Sequence, residues 1–323
     1  MKLTTENIKE ITLGAIRIFE EDGYTVFRRF TPYQEKVLED RKFTPRQFAS
    51  SGMKLSFTCG EGVVHFEYLV RPGAGAVCHG IDVLCDGIEV FHHYSDEANK
   101  CGQVFFRVPK KEKPCTVTVF FPNLAGIGIR ELNVPDDYAP AKRERKILML
   151  GDSITHGYHS FRQHQSYANV LGERLNAEIL NQGIGGDKFH APNIDPELPF
   201  TPDIITVAYG TNDWAASIPD LAGKIDDYFK KLRTVYPEAP VFAIPPLWRG
   251  NTDGVVRNGL TLADARELVR EKAEKYGCIA VDPLPLVPHN EAFFADKVLH
   301  PNDLGFVLYG TQLAEVIKRT LNV

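Results

Sequence analysis

Midway along the chain stands Lys146-Ile-Leu-Met-Leu-Gly-Asp-Ser-Ile-Thr155, a short apolar run that stops at Gly151-Asp152-Ser153. The apolar run predicts a strand buried on both faces, and the residues after it predict a tight turn into a helix. This geometry would present the Ser153 hydroxyl at the carboxyl end of a strand, where ligands bind in open α/β sheets. Taken alone, the same residues also fit a simple helix cap. The neighbouring strands therefore decide what Ser153 does.

The rest of the C-terminal half alternates short apolar runs with helical patterns, which is the signature of βαβ units and a parallel sheet. Apolar residues at spacings of three and four predict an amphipathic helix over 220–235 and a second one after an N-cap at Thr261. A last helix is predicted to begin after Asn302 or Asp303. The predicted strands are 147–150, 178–180, 204–208, 241–244 and 279–281.

The N-terminal half shows a different pattern, with β-branched and aromatic runs separated by turn signals. Short strands at this spacing predict an antiparallel β-sandwich of the jelly-roll type. Two prolines and a charged run over 134–145 interrupt the pattern and predict a domain boundary. We therefore expect a β-sandwich over 1–140 and an α/β unit over 145–323. The predicted sandwich strands are 53–58, 63–69, 81–85, 103–108, 115–121 and 127–132.

Composition excludes several classes of function. Of the 323 residues, 43% are hydrophobic and 24% are charged, which is ordinary for a globular protein and argues against disorder. A formal net charge of −5 gives no reason to expect nucleic acid or an anionic membrane as a partner. The N-terminus is polar and no apolar run is long enough to span a membrane, so we expect a cytoplasmic protein.

Cysteine and histidine spacing gives no sign of a cross-linked or metal-binding fold. The six cysteines, Cys78 among them, form no CxxC pair and are expected to be reduced packing thiols. His156, His159 and His164 follow Ser153 at spacings that match no metal motif, so we expect exposed histidines and no bound metal. Nothing in the sequence calls for a cofactor.

Three later strand ends bring polar groups towards Ser153, because the carboxyl ends of parallel strands meet at one rim of the sheet. The second strand leads into a glycine-rich loop over 181–187, and the third leads to Asn212. The segment before the last helix supplies His300. A serine with a base and with backbone and amide donors is what acyl transfer requires.

Four short blocks of this sequence resemble, in order, those of the SGNH subgroup of GDSL-type esterases: Gly151-Asp-Ser-Ile154, the 181–186 loop, Gly210-Thr-Asn-Asp213 and His300-Pro-Asn302. The resemblance implies an SGNH hydrolase fold, a three-layer α/β/α sandwich. It implies that Ser153 is the nucleophile and His300 its general base. It also implies an oxyanion hole built from the Ser153 N–H, the Gly186 N–H and the Asn212 side chain.

The fourth block departs from the usual Asp-x-x-His pattern of that family. Lys297 stands three residues before His300 and cannot accept the imidazole N–H, whereas Asp296 is one position further back. A one-residue bulge in the loop would let Asp296 orient His300. The alternative is a Ser–His dyad with a backbone carbonyl as the orienting group.

The combination of a β-sandwich with an SGNH unit resembles the family 2 carbohydrate esterases. The leading hypothesis is hydrolysis of a small acyl ester, an O-acetyl group on a sugar or oligosaccharide. Trp214, Trp248 and Arg249 are candidate substrate contacts at the rim. The alternatives are a lipid-type esterase or thioesterase, and a carbohydrate-binding protein with a degenerate hydrolase domain. The sequence leaves the oligomeric state open.

Overall fold

The computed structural model describes residues 1–74, 79–95 and 101–323 of the chain. Residues up to 140 form two antiparallel sheets that pack face to face. Alternate side chains of the facing strands fill a shared core, as in a β-sandwich. The strands are β1 (Thr12–Leu13), β2 (Arg17–Glu21), β3 (Tyr24–Arg28), β4 (Lys54–Cys59), β5 (Gly62–Arg71), β6 (His79–Cys85), β7 (Ile88–Ser95), β8 (Cys101–Val108), β9 (Cys115–Phe120), β10 (Gly126–Asn133) and β11 (Ala139–Pro140).

The order of these strands is that of a jelly roll. One sheet runs β2-β3-β10-β5-β8 and the other runs β1-β4-β9-β6-β7, with β11 paired to β4. The eight strands from β3 to β10 thus divide four to a sheet as two Greek keys, and every connection except that from β6 to β7 crosses between the sheets. Asp86 and Gly87, both at positive φ, make the two-residue turn between β6 and β7. The predicted antiparallel sandwich is confirmed.

Two helices of the N-terminal half were not predicted. They are α1 (Thr5–Ile11) and α2 (Pro32–Asp40). Each begins with a capping box, in which a threonine side chain and the third helical residue exchange hydrogen bonds with each other's backbone N–H. The helix α2 connects β3 to the segment that precedes β4, and it lies beside the glycine-rich loop of the second half.

The C-terminal half is built on a five-stranded parallel sheet in the order β13-β12-β14-β15-β16. From β12 the chain first adds β13 on one side and then adds β14, β15 and β16 on the other side. The switch point between β12 and β14 is where ligands bind in doubly wound folds. The strands are β12 (Arg145–Gly151), β13 (Ala177–Asn181), β14 (Ile204–Ala208), β15 (Val241–Ala243) and β16 (Ile279–Ala280). The helices are α3 (Ser153–His156), α4 (Tyr167–Arg174), α5 (Ile218–Val235), α6 (Leu262–Lys275) and α7 (Asp303–Leu321).

Helices cover both faces of this sheet, so the unit has three layers. Along β12, Ile147 and Met149 face a core completed by α4 and α7, whereas Leu148 and Leu150 face a core completed by α5 and α6. This two-sided burial explains why β12 reads as an uninterrupted apolar run. The predicted α/β/α sandwich is confirmed.

The two halves are joined by buried polar contacts as well as by the segment 141–144 between β11 and β12. Lys54 of β4 is fully buried, and its Nζ lies 2.7 Å from Glu173 Oε1 of α4. Gly14 is close enough to β13 that a Cβ atom there would lie 2.7 Å from the Ile179 carbonyl oxygen. The sheets of the sandwich therefore rest directly on β13 and α4.

No helix in the described part of the chain is long and apolar enough to cross a bilayer. The five described cysteines are free thiols, and Cys101 is the exposed one among them. Cys78 lies outside the described residues.

Candidate active site

The turn after β12 places Ser153 at the first position of α3. Asp152 is the N-cap of this short helix, and its Oδ1 accepts the Ile154 N–H at 3.0 Å. This is the capping role that the sequence alone left open for Asp152. Burial, together with the charges of Asp213 and Asp187, raises the pKa of Asp152 to about 7 against the hydrogen bond from Ile154. Ser153 is itself nearly buried, with 6% of its surface exposed.

Ser153 Oγ lies 2.8 Å from His300 Nε2, and His300 Nδ1 lies 2.7 Å from Asp296 Oδ2. The structure therefore brings the three side chains together in the order serine, histidine, carboxylate. Lys297 adopts a left-handed conformation with φ of 61°, and this residue absorbs the extra position between Asp296 and His300. The carboxylate reaches the imidazole despite the altered spacing.

Asp296 is held as an anion by the loop that it closes. Its Oδ1 accepts the backbone N–H groups of Val298, Leu299 and His300 at 3.0, 2.7 and 3.1 Å. Burial favours the neutral acid, but these donors and the His300 ring together lower the pKa of Asp296 to about 2. A charged carboxylate accepts the His300 Nδ1–H and leaves Nε2 free to accept the serine proton.

Burial lowers the pKa of His300, and the hydrogen bond that His300 Nδ1–H donates to Asp296 opposes this shift. Electrostatic interactions with His159 and Arg249 add to the lowering. The imidazole is therefore neutral at pH 7, which is the state a general base requires.

The three predicted oxyanion donors differ in whether their N–H groups already have a protein acceptor. Among the described residues, neither the Ser153 N–H nor the Gly186 N–H has a protein acceptor. One N–H of the Asn212 amide donates to the Asp187 carbonyl at 3.0 Å, which leaves its second N–H available. Gly186 is exposed and has φ of 82°, in the left-handed region that favours glycine. These donors lie at the ends of β12, β13 and β14.

Trp214 does not face the rim, and its assignment as a substrate contact is wrong. The side chain is fully buried, and its Nε1–H donates to the Leu260 carbonyl at 2.9 Å. The Trp214 N–H bonds back to the Gly210 carbonyl, so the chain curls after Asn212 and directs the indole into the core shared with α5 and α6.

Trp248 and Arg249 lie next to the loop that carries the acid and the base. The Gly250 N–H donates to the Val298 carbonyl at 2.8 Å, which ties the two segments together. The Trp248 ring stacks on His289 at 5.7 Å and also contacts Phe294. Arg249 is half-buried, and its guanidinium lies 5.8 Å from the centre of the Trp214 ring. Both assignments stay predictions.

Several site residues could not be found from the sequence pattern. The Tyr158 ring stacks on His300 with centroids 5.9 Å apart, and its hydroxyl donates to the Ala74 carbonyl. His159 is exposed and its ring centre lies 5.1 Å from that of His300. His156, expected to be exposed, is fully buried, and its Nδ1 accepts the Gly185 N–H. Burial lowers the pKa of His156 well below its usual range, so the ring is neutral.

Two groups of described side chains have ligand atoms close enough to hold a metal ion, within 4.8 Å of one another. In both groups hydrogen bonds already occupy the central carboxylate, since Asp296 accepts from His300, and Asp82 accepts from His92 and His164. The groups are His159, Asp296 and His300, and Asp82, Glu89 and His92.

Comparisons with known proteins agree with this geometry. Residues 149–308 match the model of the GDSL-like Lipase/Acylhydrolase family, a range that contains all five predicted catalytic and oxyanion residues. The acetylxylan esterase / glucomannan deacetylase of Cellvibrio japonicus (strain Ueda107) is 26% identical over 202 residues. That alignment covers 51% of this chain and 52% of the relative, so the chain spans about half the length of this curated relative.

Solved structures share the fold of the whole chain. The salicylyl-acyltransferase SsfX3 from a tetracycline biosynthetic pathway superposes with a TM-score of 0.79 at 16% identity, over 97% of this chain and 94% of that one. A family two carbohydrate esterase from Cellvibrio japonicus superposes with a TM-score of 0.65 at 17% identity, over 100% and 98%. Residues 149–308 of this chain therefore match the GDSL-like lipase/acylhydrolase family, and the chain has the fold of a family 2 carbohydrate esterase.

Proposed function

We propose that this protein is a serine esterase that hydrolyses small acyl esters, O-acetyl groups on carbohydrates, through a covalent acyl-enzyme. The observation that carries the proposal is the continuous chain of contacts from Ser153 through His300 to Asp296, at 2.8 and 2.7 Å. A neutral imidazole between a hydroxyl and an ionised carboxylate is the arrangement that activates a serine.

In the first half of the reaction, Ser153 Oγ attacks the ester carbonyl carbon and His300 Nε2 takes the hydroxyl proton. The carbonyl oxygen becomes an oxyanion, which the N–H groups of Ser153 and Gly186 and the Asn212 amide stabilise. When the tetrahedral intermediate collapses, the bond to the sugar oxygen breaks. His300 gives its proton to that oxygen, and the alcohol leaves.

In the second half, His300 takes a proton from water, and the resulting hydroxide attacks the acyl-enzyme. The second tetrahedral intermediate uses the same oxyanion donors. Its collapse breaks the bond to Ser153 Oγ, returns the proton to the serine and releases the acid. Asp296 stays ionised throughout and stabilises the imidazolium that forms in each half.

The carbohydrate part of the proposal rests on similarity. The Cellvibrio japonicus relative is named for deacetylation of xylan and glucomannan, and the esterase neighbour shares both the sandwich and the hydrolase unit. Trp248 and Arg249 are proposed contacts for the alcohol portion of the substrate, since both are partly exposed next to the loop of Asp296 and His300. For Arg249 the fitting group is an anionic substituent on the sugar.

The test is hydrolysis of p-nitrophenyl esters with acyl chains of two, four and eight carbons, together with acetate release from acetylated xylan and glucomannan oligosaccharides. The wild type should prefer the acetyl ester, and Ser153→Ala should abolish turnover. Ser166→Ala is a matched control, since the buried Ser166 Oγ has no hydrogen-bond partner in the described part of the protein.

The results separate the competing functions. A preference for the eight-carbon ester would indicate a lipid-type esterase, and faster cleavage of acyl thioesters would indicate a thioesterase. If no ester is cleaved while acetylated oligosaccharides still bind, the protein is a carbohydrate-binding protein with a degenerate hydrolase domain. If Ser153→Ala retains activity, the assignment of the nucleophile is wrong.

A further inference from the structure

The glycine-rich loop that carries Gly186 is held from outside the hydrolase unit. Three arginines of the N-terminal half contact the odd-numbered residues of this loop, namely 181, 183, 185 and 187. Arg29 Nη1 donates to the carbonyl oxygens of Asn181 and Gly183, both at 2.7 Å. Arg46 Nη1 donates to the Gly185 carbonyl at 2.7 Å, and Arg41 Nη1 lies 2.7 Å from Asp187 Oδ1. The N-terminal half thus contacts the loop along its whole length.

Arg29 is the most deeply buried of these three arginines. It is fully buried at the end of β3, and its guanidinium also donates to the backbone carbonyls of Ala49 and Arg46. Burial lowers the pKa of Arg29 to about 9 and the nearby Tyr158 opposes the shift, so the group remains charged at neutral pH. The guanidinium also lies 3.4 Å from His156 Nε2. A buried cation that donates to neutral carbonyls orients those carbonyls strongly, because charge-assisted hydrogen bonds are about twice as strong as neutral ones.

Arg46 acts on one particular peptide group. The Gly185 carbonyl that it binds belongs to the same planar unit as the Gly186 N–H, the predicted oxyanion donor. In a trans peptide the C=O and the N–H point in opposite directions. A hydrogen bond that fixes the carbonyl on the arginine side therefore aims the N–H away from the arginines. It also polarises that N–H and makes it a better donor.

The neighbouring N–H groups show that this exposure is selective. The Gly185 N–H donates to His156 Nδ1 at 3.2 Å, and the Asp187 N–H donates to the Ile184 carbonyl at 3.0 Å. Between them the Gly186 N–H has no protein acceptor in the described chain, and Gly186 is exposed. The neighbouring backbone donors of the loop are thus paired with protein acceptors, and this one is left available for a ligand.

We propose that Arg46, supported by Arg29, is a positioning residue that orients the Gly185–Gly186 peptide group for the oxyanion hole, so that the N-terminal half completes the active site. This inference rests on the proposed esterase function. Neither arginine touches the substrate, and each acts through the loop. Because an oxyanion donor works in the transition state, loss of Arg46 should lower kcat and leave KM nearly unchanged.

The experiment compares Arg46→Met, Arg46→Lys and Arg28→Met with the wild type, using p-nitrophenyl acetate. Arg46→Met should lower kcat roughly ten-fold, less than the 10²–10³ expected when a donor itself is removed. Arg46→Lys keeps a cationic donor and should recover part of the rate. Arg28 is the matched control, since it stacks on Phe48 at 4.9 Å and contacts no residue of the 181–187 loop.

A second measurement reports on the oxyanion hole directly. A boronic acid forms a tetrahedral adduct with the active serine, and its inhibition constant should weaken in Arg46→Met by the same factor as kcat/KM. Melting temperatures measured in parallel identify a general loss of stability, which Arg28→Met should share without the loss of kcat. Arg29→Lys is expected to unfold at a lower temperature, because Arg29 is fully buried. The test therefore uses variants of Arg46.

Failure of the proposal and failure of the esterase function have different outcomes. If the wild type cleaves the ester and Arg46→Met retains full kcat and full boronate affinity, Arg46 does not position the donor. If Arg46→Met and Arg28→Met lose activity equally, and in proportion to their melting temperatures, the contact is structural and the proposal fails. If the wild type itself is inactive, the proposed function fails.

Discussion

The proposed catalytic triad and the 181–187 loop, which carries the proposed oxyanion donor Gly186, are held in place by contacts from different parts of the chain. Asp296 and His300 lie within one short loop, and this loop supplies three of the N–H groups that hold the carboxylate. The 181–187 loop, besides its hydrogen bonds within its own half, is contacted by Arg29, Arg41 and Arg46 of the other half of the chain. In the proposed reaction, proton transfer would therefore depend on one local loop, whereas stabilisation of the oxyanion would depend on a loop that the N-terminal half contacts. Substitutions on the two sides should therefore differ in what they change.

The largest effect is expected on the triad side. Asp296→Asn keeps the size of the side chain but removes the charge that stabilises the imidazolium, so kcat should fall by about 10³–10⁴. Steady-state kinetics with p-nitrophenyl acetate measures the loss, and Glu291→Gln, an exposed carboxylate in the same segment, is the control. An unchanged kcat would mean that a Ser–His dyad operates.

Removal of the side-chain oxyanion donor should come next. Asn212→Ala takes away one of the three proposed donors, and kcat should drop by about 10²–10³ with little change in KM. Asn212→Asp should behave in the same way, because a carboxylate has no N–H to donate. A rise in KM at constant kcat would place Asn212 in ground-state binding and contradict the assignment.

A smaller effect is expected at the backbone donor. Gly186→Ala forces a side chain onto φ of 82° and places its Cβ 3.4 Å from Arg46 Nη1. The strain should cost about 1 kcal/mol in unfolding free energy, and the displaced N–H should lower kcat roughly ten-fold. Gly23→Ala is the control, since Gly23 has φ of 75° and open space around it. Chemical denaturation should show a similar cost for both, and kinetics should show the loss only at Gly186.

The smallest effect is a shift of the pH profile. Burial and the charges of His159 and Arg249 lower the pKa of His300, so the acid limb of kcat/KM should lie below pH 6.5. Arg249→Gln removes a positive neighbour, which raises the pKa of His300 and moves that limb to higher pH. Asp296→Asn removes an interaction that raises it and should move the limb lower. An acid limb that does not move in either variant would mean that another group controls it.

The triad could be predicted because the parallel sheet gathers its strand ends at one rim. The serine, amide and histidine each follow an apolar run or precede a helix, and these local signals survive in the sequence. Asp296 lies four residues before His300 and not three, yet the left-handed conformation of Lys297 takes up the extra residue, so the carboxylate still reaches the ring. Trp214 was misplaced because the direction of a side chain in an irregular turn depends on backbone bonds that the pattern does not encode.

No pattern in the sequence indicates that Arg29, Arg41 and Arg46 contact the 181–187 loop. Arg29 bonds to Asn181 across 152 positions of sequence, and the acceptor is a backbone carbonyl. Every residue has such a carbonyl, so no residue type on the loop marks it as the partner. The helix α2 is a different case, because Thr31-Pro-Tyr-Gln34 is a capping box that the sequence itself displays.

The buried Lys54–Glu173 contact bears on how such proteins can be recombined. Lys54 belongs to the sandwich and has no exposure to solvent in the intact chain. If the sandwich were exchanged for an unrelated module, Glu173 would lose this cation and keep only Arg143. The original sandwich, joined to another hydrolase unit without Glu173, would bury the Lys54 charge without its carboxylate partner. The N-terminal half is therefore not an interchangeable appendage, and we expect the two halves to be inherited together.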